Sequence, residues 1–258
     1  VAGRPVGDVV TPSRLPEHSR VTNSVARIDV YFEKRYRQAE LQPAPPATDL
    51  TVLRRLSLSL HGTLPSLEEI RQFEADEAEE RLERWTERML RDDRFADYFS
   101  GRLSRSLVGV EEGPFLIFRR DRLNHWLGQQ LKDNRPWDAV ARDLISSTGL
   151  WTGHPATNYV TATLIDNEVN EEKLAGRTVR AFLGQRIDCA QCHDHPFADW
   201  KQAQFQGLAA FFGQTRVTAL GVEDSSDAHY TVNDAGSEPR QVVPAVPFGA
   251  DWRTRDGT

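Results

Sequence analysis

Apolar residues recur at spacings of three and four along most of the chain, and this periodicity is typical of amphipathic helices. Val25, Ile28 and Phe32 follow it early in the sequence, and the segments 94–107 and 136–147 follow it further on. Glycine and proline separate these segments, which predicts turns between consecutive helices. The sequence therefore predicts a mainly α fold.

Two parts of the chain depart from the helical pattern. Residues 148–165 are rich in Gly, Thr and Asn, which predicts an ordered loop that lines a pocket. The stretches TRVTAL (215–220) and AHYTV (228–232) alternate apolar and polar residues, which predicts that they pair as a small hairpin. We therefore expect an irregular helical domain with long loops and a small C-terminal β-hairpin.

Changes in composition divide the chain into three predicted regions. Residues 1–20 mix Pro, Gly and polar residues without periodicity, so we expect an extended N-terminal arm. Residues 21–213 form the predicted helical domain, and residues 214–258 form a hairpin and loop-rich segment. With 258 residues, 39% of them hydrophobic, the chain is long enough to bury a core.

The charge of the chain argues against nucleic acid as a partner, and its hydropathy argues against a transmembrane helix. The formal net charge is -6, and basic residues are interleaved with acidic ones, so there is no basic patch for nucleic acid. No stretch approaches the roughly 18 apolar residues of a membrane-spanning helix, so we expect no transmembrane segment. The first residues, VAGRPVGDVV, lack the features of a signal peptide, and we interpret them as a mature terminus or as part of an excised segment.

Both cysteines of the chain lie in the segment CAQCH, at Cys189 and Cys192, directly before His193. Two cysteines are too few for a disulfide framework, whereas C-x-x-C-H is the attachment signature of haem c. Two thiols three residues apart lie on one face of a helical turn and bond to the two vinyl groups of the porphyrin. The histidine that follows binds the iron. The pattern predicts one covalent haem c on Cys189 and Cys192, with His193 as the metal ligand.

Three other interpretations of this segment remain open. Cys189, Cys192, His193 and His195 have the side chains of a zinc site, although structural zinc sites draw a second ligand pair from a distant segment. A redox dithiol of the thioredoxin type would accompany a βαβ pattern, which the sequence does not show. The third interpretation is a pair of unmodified buried thiols.

The second axial ligand of the iron has several candidates: His154, His61, His125 and Met89. An open coordination position is the remaining alternative. Met89 continues an apolar helical stripe, which favours a core role for it. His195 is too close to His193 in sequence to reach the opposite side of a porphyrin, so we expect it to make a local hydrogen bond.

Aromatic residues crowd the motif on both sides. They are candidates for the walls of a haem pocket, and the alternative is that they are core residues of the flanking helices. The set is Phe182, Phe197, Trp200, Phe205, Phe211 and Phe212.

Three longer segments extend the pattern: RRLSLSLHGTLPSLEEIRQF, NRPWDAVARDLISSTG and FLGQRIDCAQCHDHPFADWKQAQFQGLAAFF. Together they resemble the planctomycete cytochrome c-like family, whose domains occur in large secreted bacterial proteins of uncharacterised function. The resemblance covers about residues 25–213, and His195, Pro196 and Phe197 also match the family's motif. It implies a helical domain, secretion and a haem c on the two cysteines and His193.

The leading functional prediction is a monohaem c-type cytochrome. It would act in the periplasm as an electron carrier or as an electron-transfer subunit, with a redox partner protein or a larger membrane-associated complex. Two alternatives belong to other classes. One is a haem enzyme or gas sensor with an open coordination site, and the other is a structural or interaction subunit without a redox role.

Overall fold

The computed structural model describes residues 19–110, 118–166, 168–233 and 238–247. The chain divides into two compact units, Val1–Thr48 and Asp49–Thr258. The three regions predicted from composition stay a prediction. The predicted arm lies outside the described residues except for residues 19 and 20, which are helical.

The first unit contains helix α1 (Ser19–Gln38). Its apolar residues recur at helical spacing, as predicted, but Val25, Ile28 and Phe32 remain 51%, 54% and 49% exposed. These three apolar side chains of α1 are therefore about half exposed.

The second unit begins with three helices around a small core. These are α2 (Asp49–Leu60), α3 (Leu67–Ala75) and α4 (Arg81–Arg91). Their buried apolar residues form one cluster: Leu53, Phe73, Trp85 and Met89.

Local signals fix the ends of two of these helices. Gly62 follows α2 with φ at +71°, a left-handed conformation that glycine adopts without strain. The Ser66 side chain accepts from the Glu69 N–H, and the Glu69 carboxylate accepts from the Ser66 N–H. This reciprocal pair is a capping box, and it satisfies two backbone N–H groups at the start of α3.

The larger core is built from six further helices. They are α5 (Asp93–Val108), α6 (Arg120–Lys132), α7 (Trp137–Ser146), α8 (Asn158–Thr161), α9 (Glu171–Leu183) and α10 (Gln202–Ala209). Short 3-10 turns occur at Pro155–Thr157, Asp188–Gln191 and Ala210–Phe212. The prediction of a mainly α fold is confirmed. None of the described helices is both long enough and apolar enough to cross a membrane.

The segment 148–165 contains more regular structure than the predicted loop, since it includes a 3-10 turn and α8. Asn158 is fully buried there. Its side-chain oxygen accepts from the Arg119 N–H at 2.7 Å, and its side-chain nitrogen donates to the Pro155 carbonyl at 2.8 Å. Because the amide is satisfied internally, this polar segment folds into the core.

The described strands form two small antiparallel sheets near the C-terminus. Strand β1 (Thr215–Thr218) pairs with β2 (Gly221–Asp224), and β3 (Thr231–Val232) pairs with β4 (Arg240–Gln241). The C-terminal hairpin is confirmed, but the predicted pairing of 215–220 with 228–232 is wrong. A turn of two residues joins β1 to β2, so the nearer segment closes the hairpin at a smaller entropic cost.

Candidate functional site

The two cysteines project from a short 3-10 turn between α9 and α10. Ile187 and Ala190 of this segment are fully buried in the larger core, whereas Cys189 and Cys192 are exposed and free. The helical backbone conformation continues as far as Cys192. Since a 3-10 helix has three residues per turn, side chains three apart eclipse each other. The buried residues thus anchor the turn and leave both thiols on one outward side.

His193 is exposed, and its imidazole is oriented by the main chain. The Nδ1 atom lies 2.7 Å from the carbonyl oxygen of Asp194. A carbonyl only accepts hydrogen bonds, so Nδ1 carries the proton and donates it. In the neutral imidazole this arrangement leaves Nε2 as the unprotonated nitrogen, the form that binds a metal. The main-chain carbonyl of Asp194 therefore sets the orientation of the ring.

Asp188 ties the turn to α9. Its carboxylate accepts from Arg180 at 2.8 and 2.9 Å and from Arg186 at 3.4 Å. The same carboxylate lies over Gly176, where an added Cβ would be 3.1 Å from Oδ1 of Asp188. The small residue in α9 therefore allows the turn to approach the helix closely.

Gln202, at the start of α10, holds the motif from the other side. Its side-chain nitrogen donates to the carbonyl oxygens of Gln191 and Cys192 at 3.2 and 3.1 Å. Its backbone N–H donates to Asp194, which also pairs with Lys201 at 3.0 Å. Both contacts lower the pKa of Asp194, and the backbone N–H of Gln202 has the larger effect. Gln202 thus contacts the motif at residues 191, 192 and 194.

His195 takes a local role, as the sequence predicts. Its Nδ1 accepts from the Phe197 N–H at 3.1 Å, and its backbone N–H donates to the Trp200 carbonyl at 2.8 Å. Trp200 in turn donates from its indole to Gln185 at 2.7 Å. The HDHPF segment therefore forms a closed loop that returns to the end of α9.

Two candidates for the second axial ligand lie in the smaller core. His61 and Met89 are 5% and 3% exposed, and Nε2 of His61 contacts the Met89 carbonyl oxygen at 3.0 Å. The core role predicted for Met89 is confirmed. Ile187 and Ala190, which flank Cys189, pack in the larger cluster instead. The structure does not bring His61 or Met89 into the core that carries the motif.

The other two candidates are exposed. His125 lies on α6, and His154 directly precedes the 3-10 turn at Pro155–Thr157. Among the described residues, no group of three or more His, Cys, Asp or Glu side chains is arranged to hold a metal ion. Cys189, Cys192, His193 and His195 are therefore not gathered into a zinc site in this structure.

One protein-family model matches most of the chain. The model of the PSCyt2 family, described as a protein of unknown function (DUF1549), matches residues 27–217, which is more than half of the chain. The chain belongs to the PSCyt2 family. The matched residues coincide closely with the range 25–213 that carried the resemblance in the sequence. No curated protein and no solved structure matches this PSCyt2 chain.

The aromatic residues near the motif of this PSCyt2 chain have different environments. Phe205 and Phe212 are 1% and 8% exposed and belong to the larger core, as the alternative interpretation predicts. Phe182 and Trp200 pack against that core and are partly buried. Phe197 is 93% exposed, so its aromatic ring, close in sequence to His193 and His195, faces the solvent.

Proposed function

We propose that this chain is a monohaem c-type cytochrome, acting as an electron carrier or as an electron-transfer subunit of an extracytoplasmic complex. One observation carries the proposal. Cys189 and Cys192 are free, exposed and on one side of a single turn, directly before a histidine whose Nε2 is available for a metal. This donor set fits the attachment chemistry of haem c.

Each residue of the motif has a role in this proposal. The thiols of Cys189 and Cys192 hold the haem covalently, and Nε2 of His193 binds its iron. The carbonyl of Asp194 fixes the tautomer and the orientation of the imidazole. Gln202 holds the carbonyl of Cys192. The haem supplies a one-electron iron couple when it is bound.

The exposure of the motif supports a function that depends on a partner. Both cysteines are exposed, and Phe197 beside them is almost fully exposed. A redox partner protein, or a larger membrane-associated complex, would contact the chain on this surface in the periplasm. Aromatic residues are enriched at such contacts.

A second candidate function is a haem enzyme or gas sensor with an open coordination position. The placement of His61 and Met89 favours it, because both lie in the smaller core and the Nε2 atom of His61 is already hydrogen-bonded. An iron held by His193 alone would leave its other side available for a small ligand.

The test is to produce the chain in a bacterial host that attaches haem c, and to measure its intact mass under denaturing conditions. We expect the mass of the polypeptide plus one haem. The Cys189→Ala, Cys192→Ala double variant should have the bare polypeptide mass. His195→Ala, a change within the same loop, should retain the haem and is the matched control.

Optical spectra of the same samples separate the two functions. A low-spin reduced spectrum supports the electron carrier, and a high-spin spectrum that shifts with carbon monoxide supports the enzyme or sensor. A bare polypeptide mass, from a host in which a reference cytochrome c matures, would refute both and leave a structural or interaction subunit.

A further inference from the structure

A cavity of about 370 Å³ lies in the second unit, and none of its lining residues belongs to the CxxCH motif. The C-terminal end of α7, the helices α8 to α10 and the first hairpin line it, and it is open to solvent on one side. The lining residues that matter for its chemistry are Ser147, Val160, Val179, Phe212, Val222 and Asp224. Its volume is within the range of small-molecule sites in proteins.

The deep walls of the cavity are formed by buried apolar side chains. Val160 and Val179 are each 2% exposed, Val222 is 3% exposed and Phe212 is 8% exposed. These residues belong to the larger core, so the walls of the cavity are continuous with that core. A molecule that replaces water here gains the free energy of burying apolar surface.

The polar groups of the lining are hydroxyls and one carboxylate. Thr178 contacts the buried hydroxyl of Tyr159 at 3.0 Å. Burial raises the pKa of Tyr159 to about 12, so this pair is uncharged. Asp224 is exposed at the edge of the cavity and is the one charged residue among the lining residues that the structure describes. No described arginine or lysine forms an ion pair with it.

The wall formed by the hairpin is fixed to the rest of the unit. Gly149 donates to the Val222 carbonyl at 2.7 Å, and Val222 donates back to the Gly149 carbonyl at 3.0 Å. Gly221 adopts φ of +109°, and a Cβ at this position would overlap the carbonyl oxygen of Gly149. The cavity is therefore formed before any ligand arrives, so binding requires little ordering of the protein.

We propose that this cavity is a binding site for a small organic cation with an apolar, ring-containing body. The apolar interior takes the ring, and Asp224 at the edge takes the positive group. An anion of the same shape is disfavoured, because the site has a carboxylate and no cationic lining residue among those described. The proposal is independent of the haem, since its residues are separate from the motif.

Three probes with one common ring system test the proposal: 2-naphthylmethylammonium, 2-naphthylmethanol and 2-naphthoate. NMR titration with the full chain measures the affinity of each. We expect the cation to bind about threefold more tightly than the alcohol, which is the modest gain of an exposed ion pair. The naphthoate should bind most weakly. Asp224→Asn should remove the preference for the cation and leave the affinity of the alcohol unchanged.

Two control variants separate the site from general effects. Ser147→Trp fills the cavity from a half-buried position and should abolish binding of all three probes, whereas Ser226→Trp places the same ring on exposed surface and should not. Asp227→Asn removes an exposed carboxylate outside the cavity and should keep the cation preference. Binding that survives Ser147→Trp, or equal affinity for cation and alcohol in the unmodified chain, overturns the proposal.

Discussion

The side-chain amide nitrogen of Gln202 lies 3.1 Å from the main-chain carbonyl oxygen of Cys192. One side chain of α10 thereby holds the backbone at the second cysteine, and its second contact, to Gln191, holds the residue before it. The geometry of the motif consequently depends on a residue ten positions further along the chain.

Gln202→Leu removes both of these hydrogen bonds without a large change in side-chain volume. We expect the free energy of unfolding to fall by about 1 kcal/mol, the typical net value of such contacts at a partly exposed site. Urea unfolding measures it. Gln129→Leu, at an exposed glutamine of α6, is the matched control and should change the stability less. Equal effects of the two substitutions would show that Gln202 does not anchor the motif.

The ion pairs of Arg94 predict acid sensitivity of the smaller core. The pKa of Glu69 is lowered from its usual 4.5 to about 2, and the hydrogen bond from Arg94 is the largest cause. Arg94 also lowers the pKa of Asp92. Because the folded state favours the ionised form of these carboxylates, their contribution to the free energy of unfolding is complete above the usual pKa of a carboxyl group. It is lost as the pH falls from about 5 towards 2.

Glu69→Gln tests this pH dependence. At pH 7 the free energy of unfolding of the variant should be lower by about 1 kcal/mol. The loss is small because solvent screens the ion pair at the partly exposed Arg94. The difference from the unmodified chain should shrink towards pH 2, as followed by urea unfolding at several pH values. Glu74→Gln, an exposed position on the same helix, should show no such trend. A difference that stays constant with pH would contradict the prediction.

Gly221→Ala should destabilise the second unit by about 1–3 kcal/mol, because the residue has φ of +109° and its new methyl group would overlap the Gly149 carbonyl. Gly101→Ala is the contrasting substitution. It lies within α5 with open space around it, and it should stabilise the chain by about 0.5–1 kcal/mol. Denaturant unfolding of both variants checks the prediction, which fails if the two changes have the same sign.

Met89→Leu should leave the optical spectrum of the haem-bound chain unchanged, because Met89 packs with Leu53, Phe73 and Trp85 in the smaller core. The stability cost of this near-isosteric change should be below about 1.5 kcal/mol. His193→Ala is the positive control, since it removes the proposed iron ligand and should alter the spectrum. A change of spin state in Met89→Leu would instead identify Met89 as the second axial ligand.

Local features of the fold were predictable from sequence because their causes are local. The capping box of Ser66 and Glu69 needs two residues at a fixed spacing, and the burial of Trp85 and Met89 follows from the helical period. The local hydrogen bond of His195 belongs to the same class.

Features that depend on distant contacts were not predictable in this way. Asn158 is buried because it bonds to the backbone of Arg119, 39 residues away, and composition alone favoured a loop there. The choice of β2 as the partner of β1 depends on competition between two possible strands. The cavity beside Asp224 is lined by four helices and a hairpin, so no single segment indicates it.

The exposure of both thiols has a practical consequence for the proposed attachment of haem. Cys189 and Cys192 are open to solvent and a single turn apart, so an oxidant reaches both sulfur atoms. A disulfide between them would occupy the atoms that haem attachment requires. Apoprotein handled in air should therefore lose competence for attachment, and a reductant should restore it.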